Sequence, residues 1–261
     1  MIDLLHLEFR RLFRAKAFYV CLLISLAMIL ISAATTKVLL SMIKVEEFEE
    51  GFGDVMTTAL VAPTSFSMLK TMASSSITTI LAIFLSLFVT EDYTNDTIKN
   101  IYAKGNSRDS IYFSKYISAL AAGLIMTVVC GVFSFATGKI LFGEIGTMGT
   151  NYIPSLFAEL LILIAYITIY FAIAISIKKT GASIAISIIG PIVLNLLLSL
   201  GNAAIKSEEF NLTEYWLDGR LSILQQTNVT GKEVLIGFIV GALFLLAAGA
   251  VGFVVNRSSE Q

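Results

Sequence analysis

Residues 154–177 read PSLFAELLILIAYITIYFAIAISI, an unbroken apolar run whose one charge is Glu159. Helix rises about 1.5 Å per residue, so some 20 residues cross the roughly 30 Å hydrocarbon core of a bilayer. This run is long enough to cross. Outward from it in both directions lie five more runs of the same kind, at 17–40, 71–89, 112–141, 182–200 and 234–255. The chain has 261 residues, 56% of them hydrophobic and 14% charged. Soluble helices of that number would need charged faces, and these runs have almost none. The expected fold is an all-α membrane protein with six transmembrane helices, forming a single transmembrane domain over 1–261.

Lys and Arg set the orientation of such a chain. Arg10, Arg11, Arg14 and Lys16 precede the first span. Lys99, Lys104, Arg108 and Lys115 lie between the second and third, Lys178 and Lys179 between the fourth and fifth, and Arg257 after the sixth. The other side carries acid: Glu46, Glu47, Glu49, Glu50 and Asp54 in the first loop, Glu208, Glu209, Glu214 and Asp218 in the loop at 201–233. Both termini are therefore expected on the cytoplasmic side, with the 201–233 loop external. The first apolar run is longer than a signal-peptide core and follows 16 residues, so a retained span is expected rather than a cleaved leader.

Chemistry is sparse. The lone histidine, His6, lies outside the spans, which argues against metal-dependent and Ser-His intramembrane proteases. Gly231-Lys232-Glu233 has Glu where a phosphate-binding loop needs Ser or Thr, and Gln226 stands at the place of its first Gly. Cys21 and Cys130 fall inside spans, where cysteine packs as a small apolar residue. No catalytic or metal-ligating residue is expected, and no nucleic-acid partner. If ATP drives this chain, another chain hydrolyses it.

Two segments on the basic side carry information. Within residues 1–16, Ile2, Leu5, Phe9, Leu12 and Phe13 recur at helical spacing, while Arg10, Arg11 and Arg14 lie off that stripe. That pattern fits an interfacial amphipathic helix whose basic residues meet anionic lipid. The second segment, 91–110, begins Glu91-Asp92-Tyr93-Thr94-Asn95-Asp96-Thr97-Ile98-Lys99-Asn100-Ile101-Tyr102. Asp92 or Thr94 can cap a short helix there, and Ile98, Ile101 and Tyr102 then form a compact apolar knob. Such a knob suits docking into a groove on a cytoplasmic partner; the alternative is an ordinary solvated loop.

The run from Glu91 to Lys115, with Thr97-Ile98-Lys99-Asn100, Gly105, Ser107-Arg108, Ile111-Tyr112 and Ser114-Lys115, resembles the cytoplasmic loop of ABC-2-type transporter permeases. The resemblance extends to chain length, six spans, the interfacial N-terminal helix and the long external loop. Within that family the chain is most similar to small bacterial permeases for lantibiotic immunity, bacitracin resistance and phenol-soluble-modulin export. The resemblance implies a multi-pass subunit of a bacterial plasma membrane. That subunit would pair with a second permease chain and dock a separate nucleotide-binding ATPase through Glu91, Asp92, Thr97, Ile98, Lys99, Asn100, Ile101 and Tyr102. ATP and Mg²⁺ would be held by the ATPase, with no cofactor on this chain. Lys178-Lys179-Thr180-Gly181 resembles a second contact point.

Inside the spans, Ser183, Ser187, Asn195, Ser199 and Asn202 fall on one face of span five, with Pro191 in the gap. They line either a conduit with a hinge or a contact between helices. Glu159 either acts in function, as intramembrane carboxylates commonly do, or reaches water at the external interface. Pro154 is expected to open span four as its first helical residue. Lys115 and Lys139 bracket span three and are expected to snorkel to opposite faces. Gly237-x-x-x-Gly241 permits close helix packing in span six. Tyr215-Trp216-Leu217 with Leu221, Ile223 and Leu224 suggests a short amphipathic piece resting on the outer interface.

The expected function is that of an exporter permease moving an amphipathic or hydrophobic cargo, a peptide or drug-like molecule. Two rivals remain open. An ion-coupled carrier would need more intramembrane ionisable groups than Glu159, and a non-transporting immunity or scaffold protein would not need the 91–102 segment.

Overall fold

The computed structural model describes residues 2–43, 63–70, 75–95, 107–205, 211–226 and 229–258. Nearly all of these are helical, and no strand occurs among them. The elements are α1 (Ile2–Arg14), α2 (Lys16–Ile43), α3 (Ser65–Lys70), α4 (Ser75–Thr94), α5 (Arg108–Phe142), α6 (Tyr152–Ile177) and α7 (Thr180–Ile205). A 3₁₀ turn (Leu212–Tyr215), α8 (Leu217–Leu224) and α9 (Gly231–Ser258) follow. Six of them, α2, α4, α5, α6, α7 and α9, are long and apolar enough to cross a membrane.

Helix ends follow the local sequence. Ser107 caps α5, its side chain accepting from the Ser110 amide at 3.3 Å. Gly143 closes α5 at φ 76°, a left-handed conformation that glycine adopts without a Cβ clash. α6 starts at Tyr152, so Pro154 is its third residue rather than its first. The missing amide costs nothing there, because the first four amides of a helix have no intrahelical acceptor. α3 (Ser65–Lys70) is a short helix that was not expected, and residues 71–74, where the second span was expected to begin, lie outside the described residues.

α6 is the central post. Ile162, Leu163, Ala165, Ile167, Phe171 and Ala174 are fully buried, and α4, α5, α7, α8 and α9 all pack against it. α9 lies along α6 through small residues. A Cβ at Gly241 would meet Leu161 at 3.1 Å, and one at Gly252 would meet Ala172 at 3.3 Å. Gly237 likewise sits under Leu224, at 2.9 Å. The Gly237-x-x-x-Gly241 spacing thus works as expected, letting backbones approach where dispersion contacts drive association. α7 is the opposite case: its most apolar stretch is only 6% buried within the chain, against 61% for α6.

The bundle has two ends. One, the termini end, gathers α1, the end of α4, the start of α5 and the end of α9, where Arg257 pairs with Asp109 at 3.6 Å. The far end holds α3, the 3₁₀ turn and α8. There the Ser65 amide donates to the Glu144 carbonyl at 3.0 Å and the Tyr152 hydroxyl to the Phe66 carbonyl at 2.8 Å. Leu217, Leu221 and Leu224 are buried against the bundle, and Trp216 packs edge-on to Phe244 at 5.2 Å. The short amphipathic piece therefore turns its apolar face to the protein, not to an outer interface.

Candidate functional site: an ion-paired junction at the termini end

α4 runs without a break through Glu91 and Asp92 to Thr94. Asp92 is therefore inside the last turns of a long helix rather than the cap of a short one. Two acids at a helix C-terminus face the negative end of the macrodipole, and such a site calls for cations. Arg11 and Lys115 supply them.

Arg11 Nη2 donates to Glu91 Oε2 at 2.9 Å and to the Phe88 carbonyl at 3.1 Å, and Nη1 donates to Asp92. The guanidinium also lies over the Phe88 ring, 5.2 Å from its centroid. Lys115 of α5 donates to the same Asp92 carboxylate. Glu8 stands 3.7 Å from both cations. One junction thus ties α1, α4 and α5 together at the base of residues 96–106. Burial raises the Glu8 pKa above its ordinary value, with Lys115 and Arg11 pulling the other way. Burial alone would lower that of Arg11, but Asp92, Glu91 and Glu8 outweigh it and raise it.

Two expectations change here. Leu4, Glu8 and Leu12 form the buried face of α1, with Arg11 beside them, while Phe13 is exposed. Arg11 thus points into the protein rather than to lipid, because Glu91 and Asp92 offer it better partners than water does. Lys115 is 1% exposed and does not snorkel; Lys139, at the far end of α5, is exposed as expected. Of the proposed coupling residues, Glu91 and Asp92 belong to the junction. Thr97, Ile98, Lys99, Asn100, Ile101 and Tyr102 lie outside the described residues.

The α6–α7 turn sits beside this junction. Thr180 Oγ1 is 2.7 Å from Thr90 Oγ1 and 3.4 Å from Thr94 Oγ1. Lys178 lies over the Tyr93 ring, 5.8 Å from its centroid. One helical turn further in, Ser183 donates to Ser86 at 2.9 Å.

The polar face of α7 divides along its length. Ser183 and Ser187 are buried, and Ser199 is exposed, returning its hydroxyl to the Asn195 carbonyl at 2.8 Å. Asn195 donates to Asp218 at 2.7 Å, and Asn202 accepts from the Leu212 amide at 2.7 Å. Pro191 lies inside α7 between these halves. Asp218, which also accepts from Tyr166 and from Trp216 Nε1, at 3.3 Å in the latter case, is thereby the hub of the far end.

Glu159 is wholly buried, and neither of its oxygens has a hydrogen-bond partner among the described residues. Lys70 of α3, 1% exposed, donates to the carbonyls of Leu224 and Gln226 at 2.9 and 2.8 Å. Burial lowers the Lys70 pKa, with the Glu159 charge opposing. Sequence reasoning missed Glu8, Arg11 and Lys115 as partners of Glu91 and Asp92, it did not single out Lys70, and it read Asp218 only as one acid of the external loop. The available signal for Arg11, Lys70 and Lys115 was position: each is a charge inside or within two turns of an apolar run, where water is scarce and a partner is needed.

Five apolar helices around a buried sixth, with an amphipathic helix ion-paired to the exit of the second span, define a multi-pass membrane protein. The family model described as "ABC-2 family transporter protein" matches residues 4–199, from α1 into α7, and the chain belongs to that family. No curated protein and no solved structure matches the chain. Family membership makes it a transport subunit of ABC type rather than an enzyme in itself.

Proposed function

We propose that this chain is the membrane half of an ATP-driven exporter, pairing with a second permease chain in a bacterial plasma membrane with both termini cytoplasmic. A separate ATPase subunit, holding ATP and Mg²⁺, docks on the segment 91–102. The cargo is an amphipathic or hydrophobic molecule, a peptide by similarity to the immunity and resistance permeases. The observation that carries this reading is the ion-paired junction. It fixes the base of the docking segment to three helices at once, so force applied there reaches α1, α4 and α5 together. A loop without a mechanical task has no need of a cluster of five charges, three of them buried. Coupling follows if nucleotide binding by the partner favours one arrangement of these helices over another.

The test is to solubilise the chain from its native membrane, pull it down and assay the bound material for ATPase activity. A soluble nucleotide-binding subunit in roughly equal amount is expected, and Ile98→Asp should release it while the spans stay folded. Normal co-purification of that variant would refute docking at this segment. Flux that follows an ion gradient and ignores ATP would instead establish an ion-coupled carrier. Full protection by a chain mutated throughout 91–102 would make it a non-transporting immunity protein.

A further inference from the structure

Beside the junction, a recess of about 440 Å³ opens where α1 turns into α2. That volume falls within the usual range of small-molecule sites, about 300–1,000 Å³. Its inner wall is Phe84 and Leu87 of α4, and its rim carries Arg14, Lys16, Glu91 and Thr180. α2 and α7 both pack on α4, so the recess lies in the cleft above α4, at the ends of three spans.

Charge decides what fits. The Glu91 carboxylate is already met by Arg11 at 2.9 Å. Among the described residues Arg14 and Lys16 have no carboxylate partner, and both are exposed. The recess therefore has a net positive rim over an apolar floor. On α2, the helix that Lys16 opens, Tyr19, Val20, Leu23 and Ile24 are exposed apolar residues.

We propose that the recess is a binding site for one anionic phospholipid of the surrounding bilayer. Its phosphate lies between Arg14 and Lys16, and an acyl chain lies over Phe84 and Leu87. Guanidinium and ammonium groups bind phosphate through charge-assisted hydrogen bonds. The apolar floor separates this ligand from free phosphate, which gains nothing from Phe84 or Leu87. The bound lipid would fasten the α1–α2 elbow to α4 from the membrane side, opposite the ion pairs that fasten it from within.

The experiment uses the full chain, purified and delipidated in detergent, with added phosphatidylglycerol or phosphatidylcholine counted by native mass spectrometry. One phosphatidylglycerol per chain is expected to be retained at least tenfold more tightly than phosphatidylcholine. The double variant Arg14→Gln, Lys16→Gln should lose that preference, while a control with Arg10→Gln and Lys139→Gln keeps it. Leu87→Trp, which fills the recess and leaves both cations, should weaken retention as well and covers the case in which the double variant fails to fold. Equal loss in the control would reduce the effect to general surface charge. Unchanged retention in the double variant or in Leu87→Trp would overturn the site. Displacement of the lipid by inorganic phosphate at matched concentration would show a free-anion site instead.

Discussion

Arg10, Arg11 and Arg14 have the same chemistry and three different fates. Arg11 faces the end of α4 and enters the junction, Arg14 stands at the rim of the recess, and Arg10 is exposed. Within the junction, Asp92 is the shared acceptor of Arg11 and Lys115. Asp92→Asn leaves the Lys115 ammonium, 1% exposed, with Glu8 at 3.7 Å as its one carboxylate among the described residues. Breaking one member of a buried charge set costs on the order of 3 kcal/mol, so a clearly lowered unfolding midpoint in detergent is expected. An unchanged midpoint would mean that the junction adds nothing to stability. Glu8 gives a pH test. Its raised pKa means that the folded chain binds this proton more tightly than the unfolded chain does. Stability therefore falls as pH rises from the ordinary value of 4.5 through the raised one. Glu8→Gln cannot titrate, so its midpoint relative to the parent should climb over that window. A flat difference between the two would show that Lys115 and Arg11 fully offset the burial of Glu8.

At the scale of elements, glycine contacts separate what must stay from what is free to change. A Cβ at Gly219 would sit 1.9 Å from the Thr213 carbonyl oxygen, a backbone atom that cannot swing aside. Gly219→Ala should therefore lift α8 off the 3₁₀ turn and weaken the far-end cap by more than about 2 kcal/mol. The readout is faster proteolysis between 211 and 226 with the spans intact. Gly249, in the interior of α9, meets nothing within 4 Å. Gly249→Ala should stabilise by about 0.5–1 kcal/mol through helix propensity alone, seen as a raised unfolding midpoint. The spanning helices were legible because each is an apolar run about as long as the hydrocarbon core is thick or longer, a signal that no local preference overrides. α3 was not. Its sequence SFSMLK is short and mixed, and its position comes from contacts with Glu144, Ser134 and Tyr152, far away in the chain. The face of α1 was misread for a related reason: apolar periodicity marks the residues that avoid water, and it is blind to a charge that finds charges elsewhere.

At the scale of the molecule, six spans and the family were readable from length, apolar runs and the 91–115 motif. The junction and the far-end hub depend on which helix ends meet, and that is settled only once α6 stands at the centre. α7 leans on this centre lightly, yet it is joined to α6 by Lys178 and Lys179 alone. Lys178 takes φ 57°, the left-handed conformation that closes α6, and Thr180 already opens α7. Two residues leave no slack for one helix to cross the bilayer while the other waits outside. During synthesis α6 and α7 must therefore enter as one hairpin, the deeply buried helix bringing its loosely held neighbour with it. Lengthening the turn with a flexible Gly/Ser stretch removes no contact of the finished protein. It should nevertheless produce a fraction of chains with α7 stranded outside the membrane, detectable by labelling a cysteine placed at Ser199.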